Sequence, residues 1–141
     1  ANRRRLMAEL HSLRESAGDR PVGILFVDVD GFKSINDRFG HAVGDTVLQG
    51  IGRRILDNVR SDDVACRIGG DEFVVLLRSA RSLEGVERLA ERVVGLLAGP
   101  YDIAGTAIQV TVSVGWSWEP TTSPDNLLRI ADERMYSSKR A

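Results

Sequence analysis

The 141-residue sequence predicts an α/β sandwich of the α+β kind, in which helices cover a central, mostly antiparallel sheet. Two observations indicate this class. Helical and strand-like hydrophobic periodicities follow one another in the order α-β-α-α-β-β-α-β-β-α, and two pairs of strands are neighbours along the chain, as hairpins are. Since no repeat, low-complexity tract or linker interrupts the pattern, we expect a single domain over residues 1–141.

The first part of the chain predicts a helix and a buried strand. Leu6, Leu10 and Leu13 recur at helical spacing, in a helix that we expect Gly18 to end. The continuous apolar run of residues 24–27 predicts a strand that is buried on both faces.

Two further helices are predicted after this strand. The first is short and breaks at Gly40, and a tight loop then leads to Asp45. Asp45 is a favourable N-cap residue, because its carboxylate can accept a backbone N–H of the first helical turn. The helix that it would cap has one apolar face, formed by Val47, Leu48, Ile51, Ile55 and Val59.

The middle of the chain predicts a hairpin followed by a helix. Residues 64–68 and 73–77 have the composition of short strands, and Gly69-Gly70 predicts a tight turn between them, because glycine adopts positive φ freely. An amphipathic helix follows and is expected to stop at Gly99-Pro100. Its apolar face consists of Val86, Leu89, Ala90, Val93 and Leu97.

The last part of the chain predicts a strand pair and a closing helix. Apolar residues alternate with polar or small residues in YDIAGTAIQVTVSVGWSW, which predicts two strands joined near Ala104-Gly105. Ser123-Pro124 has the composition of a helix start, ahead of DNLLRIADERMYSSKR.

Composition excludes several classes of function. With a net charge of −1, the chain has no basic field for a polynucleotide or an anionic membrane, and we interpret Arg3-Arg4-Arg5 as a solvated helix start. The single cysteine, Cys66, excludes an internal disulfide and a cysteine zinc site and fits a cytoplasmic, reducing environment. No apolar run approaches the length of a membrane span. The abrupt ends suggest a fragment of a longer protein, which can itself be membrane-anchored.

Acidic residues stand where buried strands are predicted to end. Asp28 and Asp30 end the first strand, and Asp71 and Glu72 lie at the hairpin tip. If these strands pair, three or four carboxylates converge and repel one another unless a divalent cation binds. Mg²⁺ commonly takes one or two carboxylates together with substrate phosphates. Solvated turns explain either acidic pair alone, whereas both together favour a metal-dependent phosphoryl-transfer or nucleotide-binding domain.

Five segments carry a resemblance to a known family. NRRRL, FVDVDGFKSINDRFGHAVGD, RIGGDEF, VSVGWS and ADERMYSSKR occur in the order found in the GGDEF family of diguanylate cyclases, which the chain resembles over essentially its whole length. That family condenses two GTP molecules into cyclic di-GMP and releases two pyrophosphates. The resemblance implies a fold related to the polymerase palm and to class III nucleotidyl cyclases.

The resemblance implies a metal and catalytic set at the two acidic pairs. Asp28, the backbone carbonyl of Val29, and Asp71 match the ligands of Mg²⁺, for which Mn²⁺ is a possible substitute. Asp71 is tied to activation of the 3′-hydroxyl, and Glu72 matches an adjacent acid with a metal or base role. Lys33 matches a catalytic phosphate contact, although outside this motif it would be interpreted as a solvated helix residue.

The resemblance also implies how the substrate is held. Asn36 and Asp45 match the guanine-reading pair, since a carboxylate can accept from N1–H and N2–H₂ of guanine; Asp45 can be cap, reader or both. His41 is expected to hold its loop. In the family an arginine usually stands a few residues beyond Lys139, and this sequence ends before that position, which would weaken the binding of the triphosphate. The full substrate-binding set comprises Phe32, Lys33, Asn36, Asp45, Gly69, Gly70 and Lys139.

Arg60 and Asp63 form an R-x-x-D pattern that starts nine residues before Gly69, where the family has its inhibitory product site. A helix end followed by an acidic turn often gives this pattern by chance. At this offset the resemblance implies feedback by cyclic di-GMP, with Arg88 and Arg92 as candidates for a secondary contact.

The reaction implies a particular assembly. Each domain holds one GTP, so two domains must face each other as a two-fold homodimer, and an upstream sensory or receiver module is expected to control that meeting. The alternative is a silent receptor for cyclic di-GMP, using Arg60 and Asp63, or a GTP sensor. A structural interaction domain without a nucleotide is the third interpretation.

Overall fold

The computed structural model describes residues 2–17, 21–78 and 80–120, together with Arg129 and Glu133. Most of the expected helix after Ser123-Pro124, and Lys139 with it, lies outside the described residues; Arg129 and Glu133, which are described, are helical. The elements are α1 (Asn2–Ala17), β1 (Pro21–Val29), α2 (Phe32–Phe39), α3 (His41–Asn58), β2 (Val64–Arg67), β3 (Glu72–Leu77), α4 (Leu83–Leu97), β4 (Gly99–Ile103), β5 (Thr106–Val110) and β6 (Val112–Pro120).

A four-stranded antiparallel sheet forms the centre of the molecule, in the order β2-β3-β1-β6. Strands β4 and β5 form a separate antiparallel pair. The predicted α+β class with a mostly antiparallel sheet is therefore confirmed.

Strand β1 is buried on both faces, as its apolar run predicts. Leu25 and Val27 face the core that α2, α3 and α4 close, whereas Ile24 and Phe26 face α1 through Leu6 and other apolar residues. Alternate residues of a strand point to opposite faces, so Asp28 shares the α1 face with Ile24 and Phe26. Within the described residues no helix is both long and apolar enough to cross a membrane.

The start of α3 differs from the prediction. Gly40 ends α2, where its N–H donates to the carbonyl of Asn36 at 2.8 Å, and it also precedes α3, where its own carbonyl accepts the N–H of Gly44 at 3.1 Å. Its φ of 93° lets one residue serve both helices. Residues 41–45 are therefore helical rather than a loop, and the prediction of Asp45 as the N-cap is wrong.

The alternating stretch near the end of the described chain spans two sheets. Ala104 and Gly105 make the expected hairpin, with φ values of 51° and 84°, but this hairpin joins β4 to β5. The alternation then continues past Thr111 into β6, which pairs with β1 instead. One predicted strand is thus two, divided at Thr111. Helix α4 ends at Leu97, and Gly99 already belongs to β4.

Candidate active site

The acidic residues meet where β1 ends and β3 begins. Asp28 and Glu72 are direct cross-strand partners, and the N–H of Val29 donates to the carbonyl of Asp71 at 3.1 Å. Asp28 is only 7% exposed, and Asp71 and Glu72 are half-buried. Pairing of these two strands thus gathers Asp28, Val29, Asp71 and Glu72 at one end of the sheet.

Asp30 lies outside this group. Its carboxylate accepts hydrogen bonds from Thr111 Oγ1 at 2.9 Å and from Ser113 Oγ at 2.7 Å, and its N–H donates to the carbonyl of Thr111 at 2.9 Å. These bonds fasten the β1–α2 turn to the start of β6. The expectation that Asp30 joins the acidic cluster is therefore wrong, because its carboxylate is committed to two hydroxyl groups.

The donor set at the β1–β3 end consists of hard oxygen atoms. Three acids, Asp28, Asp71 and Glu72, share this end of the sheet, but among the described residues no three side chains of the His, Cys, Asp and Glu types are gathered closely enough to hold a metal ion by themselves. Mg²⁺ typically needs only one or two carboxylates, with water and substrate phosphates completing its shell. A carboxylate and a backbone carbonyl at this position fit that requirement.

The hairpin tip is a three-residue loop, Gly69-Gly70-Asp71, closed by a hydrogen bond from the N–H of Ile68 to the carbonyl of Glu72 at 3.0 Å. Neither glycine has a positive φ, so the predicted reason for glycine here is wrong. A Cβ at Gly69 would lie 3.2 Å from Glu72 Oε2, a close contact that a small shift of the Glu72 side chain would have to relieve. A Cβ at Gly70 would meet nothing within 4 Å, which leaves that face of the loop open.

Arg67 holds the loop in shape. Its Nε donates to the carbonyl of Gly69 at 3.1 Å, and its Nη2 donates to the carbonyl of Gly70 at 2.9 Å. The guanidinium plane thus spans both glycines from outside, on the exposed side of β2. Arg67 is not among the predicted site residues, although an arginine two residues before a glycine pair is visible in the sequence.

Helices α2 and α3 carry the predicted substrate residues. Gly31, with a φ of 63°, turns the chain from β1 directly into α2, so that Phe32 is half-buried and Lys33 is exposed in the first turn. Asn36 follows one turn later. Asp45 is exposed on α3.

His41 is exposed at the first position of α3, and the loop that it was expected to hold is helical.

A cleft of about 490 Å³ lies at the other end of β3. Arg60 and Asp63 line it, so the structure brings together the two residues of the R-x-x-D pattern. Arg92 also lines the cleft and donates to Asn58 Oδ1 at 3.2 Å. Among the described residues the third arginine of the lining is Arg81 and not the suggested Arg88.

The Asp63 carboxylate binds two backbone N–H groups beside this cleft. Its Oδ2 accepts the N–H of Arg60 at 3.1 Å, and its Oδ1 accepts the N–H of Arg78 at 3.0 Å. The carboxylate therefore ties the turn after α3 to the end of β3. Arg60 is exposed beside it.

Comparison with known proteins identifies the family. Residues 1–141 match the family model described as "Diguanylate cyclase, GGDEF domain". The chain is 41% identical over 145 residues to the response regulator PleD of Caulobacter vibrioides, which covers 98% of this chain and 32% of PleD. It spans about a third of the length of the curated relatives that it matches first.

Solved structures agree with this match. The GGDEF domain of PA1120 (TpbB or YfiN) from Pseudomonas aeruginosa superposes with a TM-score of 0.84 at 37% identity, covering 96% of this chain and 80% of that one. The GGDEF domain of DgcB from Caulobacter crescentus, solved in complex with c-di-GMP, gives a TM-score of 0.78 at 27% identity, covering 96% and 77%. The chain therefore belongs to the diguanylate cyclase GGDEF-domain family.

Proposed function

We propose that residues 1–141 form one catalytic domain of a diguanylate cyclase, which condenses two GTP molecules into cyclic di-GMP and two pyrophosphates. The observation that carries the proposal is the pairing of β1 with β3, which sets Asp28 opposite Glu72 and beside Asp71. These acids stand in an intact family signature, RIGGDEF.

Asp28, the carbonyl of Val29, and Asp71 would hold a magnesium ion, or manganese in its place. When bound, the ion polarises the α-phosphate and lowers the cost of deprotonating the 3′-hydroxyl. The proton of that hydroxyl passes to a carboxylate of Asp71 or Glu72. As the new bond from the 3′-oxygen to the α-phosphorus forms, the bond to pyrophosphate breaks in line with it.

The remaining predicted residues bind GTP. Lys33, exposed at the start of α2, contacts the phosphates and offsets the charge that develops in the transition state, and Lys139 adds a second phosphate contact. Asn36 and Asp45 read the guanine. Phe32, Gly69 and Gly70 allow the nucleotide to approach the backbone.

Because one domain supplies one 3′-hydroxyl and one α-phosphate, two domains must face each other about a two-fold axis. An upstream sensory or receiver module controls that meeting in the cytoplasm. The relative PleD is named a response regulator, which supports control of this kind.

Product formation tests the proposal. The domain is incubated at high concentration with GTP and Mg²⁺, with and without a chelator, beside Asp71→Asn, and cyclic di-GMP is measured by mass spectrometry. We expect product from the parent alone, and none once the metal is removed. The same pair is then fused to a constitutive dimeriser. Continued absence of product from the dimeric parent would leave a silent receptor or GTP sensor as the function.

A second proposed activity is feedback by cyclic di-GMP at the cleft that Arg60 and Asp63 line. The cleft size, about 490 Å³, lies within the usual range for small-ligand sites, and three arginines supply donors for phosphate or guanine edges. The c-di-GMP complex of the DgcB domain supports a product site in the family.

Arg60→Ala tests this feedback better than a change of Asp63, because the Asp63 carboxylate also holds two backbone N–H groups. We expect the variant to keep its turnover of GTP and to lose most of its inhibition by added cyclic di-GMP. Arg53→Ala, an exposed arginine on α3 outside the cleft, is the matched control. Equal inhibition of both variants would exclude Arg60 from the product site.

A further inference from the structure

A glycine occupies the fourth position of α3, where alanine would be more favourable for the helix. Gly44 is buried, and a Cβ placed on it would overlap the Oδ1 atom of Asn36 and would lie 3.0 Å from its Cγ. The same Cβ would stand 3.1 Å from Cζ of Phe32. The α2 side chains thus fill the space that the glycine leaves.

The side-chain amide of Asn36 has a defined orientation, with its oxygen turned toward Gly44. Its Oδ1 is buried and has no hydrogen-bond partner among the described residues, although the residue as a whole is half-buried. The Cα–H of Gly44 points at this oxygen, since a Cβ built in that direction would overlap it. Such a Cα–H contact is weakly favourable to an oxygen and not to an N–H donor. Because the two terminal atoms of an amide point in different directions from Cγ, the amide nitrogen points away from Gly44.

We propose that Gly44 is a positioning residue for base selection: its missing side chain fixes the Asn36 amide with the nitrogen outward, beside the carboxylate of Asp45. The inference rests on the proposed function, because it assumes that these two residues meet the base of the substrate. Asp45 directly follows Gly44 in α3 and is exposed.

This polarity matches guanine and opposes adenine. A donor beside an acceptor complements the O6 acceptor and the N1–H donor of guanine. In the same pose adenine presents its amino group to the Asn36 N–H₂ and its N1 acceptor to the Asp45 carboxylate, so both contacts are repulsive. An amide free to turn its oxygen outward would instead accept from the adenine amino group. Fixing the amide therefore increases selectivity for GTP over ATP.

The test compares Gly44→Ala with Gly52→Ala. Gly52 lies in the same helix, and a Cβ there would meet only Phe73 Cε1, at an ordinary 3.6 Å. Dissociation constants for GTP and for ATP, each with Mg²⁺, are measured by calorimetry, and KM and kcat for GTP are measured on the dimeriser fusion. We expect Gly44→Ala to weaken GTP binding about ten-fold, to raise KM far more than it lowers kcat, and to leave ATP binding nearly unchanged. Gly52→Ala should match the parent.

A double-mutant cycle with Asn36→Ala separates base selection from helix stability. Asn36→Ala alone should lower the GTP-to-ATP preference, and addition of Gly44→Ala should lower it no further. The thermal midpoint should fall for Gly44→Ala in the parent and recover in large part in the Asn36→Ala background, where the overlapping Asn36 atoms are gone and the 3.1 Å contact with Phe32 Cζ remains. A preference for GTP that is unchanged in Gly44→Ala, or losses that add, would overturn the inference and leave the cyclase intact. A parent without preference for GTP would instead reject the proposed function and this inference with it.

Discussion

Removal of the Arg67 guanidinium should lower catalysis without unfolding the domain. Arg67 donates to the carbonyls of Gly69 and Gly70 at 3.1 and 2.9 Å, and these residues precede Asp71 in the three-residue loop. Hydrogen bonds that involve a charged group contribute about 1.5–3 kcal/mol. Because Arg67 is exposed, we take the lower end, about 1.5 kcal/mol, for the pair. Loss of that energy corresponds to roughly a ten-fold decrease in kcat/KM if the whole amount positions Asp71.

The assay measures kcat/KM for GTP and the thermal midpoint of Arg67→Ala, Arg67→Lys and Arg53→Ala in the dimeriser fusion. The midpoint should fall by no more than several degrees, because the hairpin keeps its buried residues Cys66 and Val74. Lysine is a single point charge that cannot span two carbonyls in a plane, so Arg67→Lys should recover less than half of the lost activity. Arg53→Ala removes the same charge from α3 and should leave activity unchanged.

Two results would refute this reasoning about Arg67. Activity of Arg67→Ala within about two-fold of the parent would mean that the loop keeps its shape without the guanidinium. Full recovery in Arg67→Lys would mean that the positive charge matters and the two carbonyl contacts do not. Hydrogen exchange at the Ile68 amide, whose N–H closes the loop onto the carbonyl of Glu72 at 3.0 Å, gives an independent readout, because this amide should exchange faster in Arg67→Ala if the loop is released.

Two further predictions concern stability. Tyr101→Phe removes the hydrogen bond from the hydroxyl to the carbonyl of Leu97 (2.7 Å) and should lower the free energy of unfolding by about 1 kcal/mol in urea titrations at neutral pH. Burial raises the pKa of Tyr101 above its ordinary value of 10.0, although the nearby Arg54 lowers it in part. The stability that the neutral phenol contributes is therefore complete below pH 10 and is lost as the pH rises through the raised pKa. Above pH 10 the free energy of unfolding should thus fall more steeply for the parent than for Tyr101→Phe, and equal slopes would contradict this. Gly23→Ala should destabilise by about 1–3 kcal/mol, since its Cβ would lie 2.9 Å from Val86 Cγ2; a thermal midpoint no lower than the parent's would show that α4 moves away without cost.

Local patterns predicted most of the fold because they reflect local geometry. The apolar run before Asp28 predicts a strand buried on both faces, which β1 is, and the period of α4 marks the residues that it buries. The division at Thr111 has no such signal. Alternation with a period of two continues unchanged from β5 into β6, and only pairing with β1, some 90 residues earlier in the chain, separates the two strands.

The choice between Gly40 and Asp45 at the start of α3 was also beyond local reasoning. Both residue types are common before a helix. The outcome depends on α2, because Gly40 bonds back to Asn36 and forward to Gly44, which leaves no residue for a loop. A local sequence pattern predicts the start and end of each helix separately, so it does not predict that one residue caps two consecutive helices.

The candidate site was predicted in part for the same reason. Acids at strand ends are visible in sequence, and antiparallel pairing places Asp28 opposite Glu72. Asp30 does not join these acids, because its carboxylate accepts hydrogen bonds from Thr111 and Ser113, which lie 81 and 83 residues later in the chain. No local feature distinguishes the two aspartates, so the sequence predicted one acid too many.

The position of the two proposed sites on β3 limits how feedback can work. The acidic end begins at Glu72, and the arginine-lined cleft lies at Leu77. Five residue steps along a strand separate them by about 17 Å, so a ligand in the cleft does not touch Asp71. The proposed inhibition from the cleft would therefore have to act through β3 or by restraining the approach of the second domain. Strand β3 is paired with β1 and β2 and packed on both faces, so a ligand in the cleft would not easily change its shape. We therefore favour restraint of the domain pair as the way in which feedback acts.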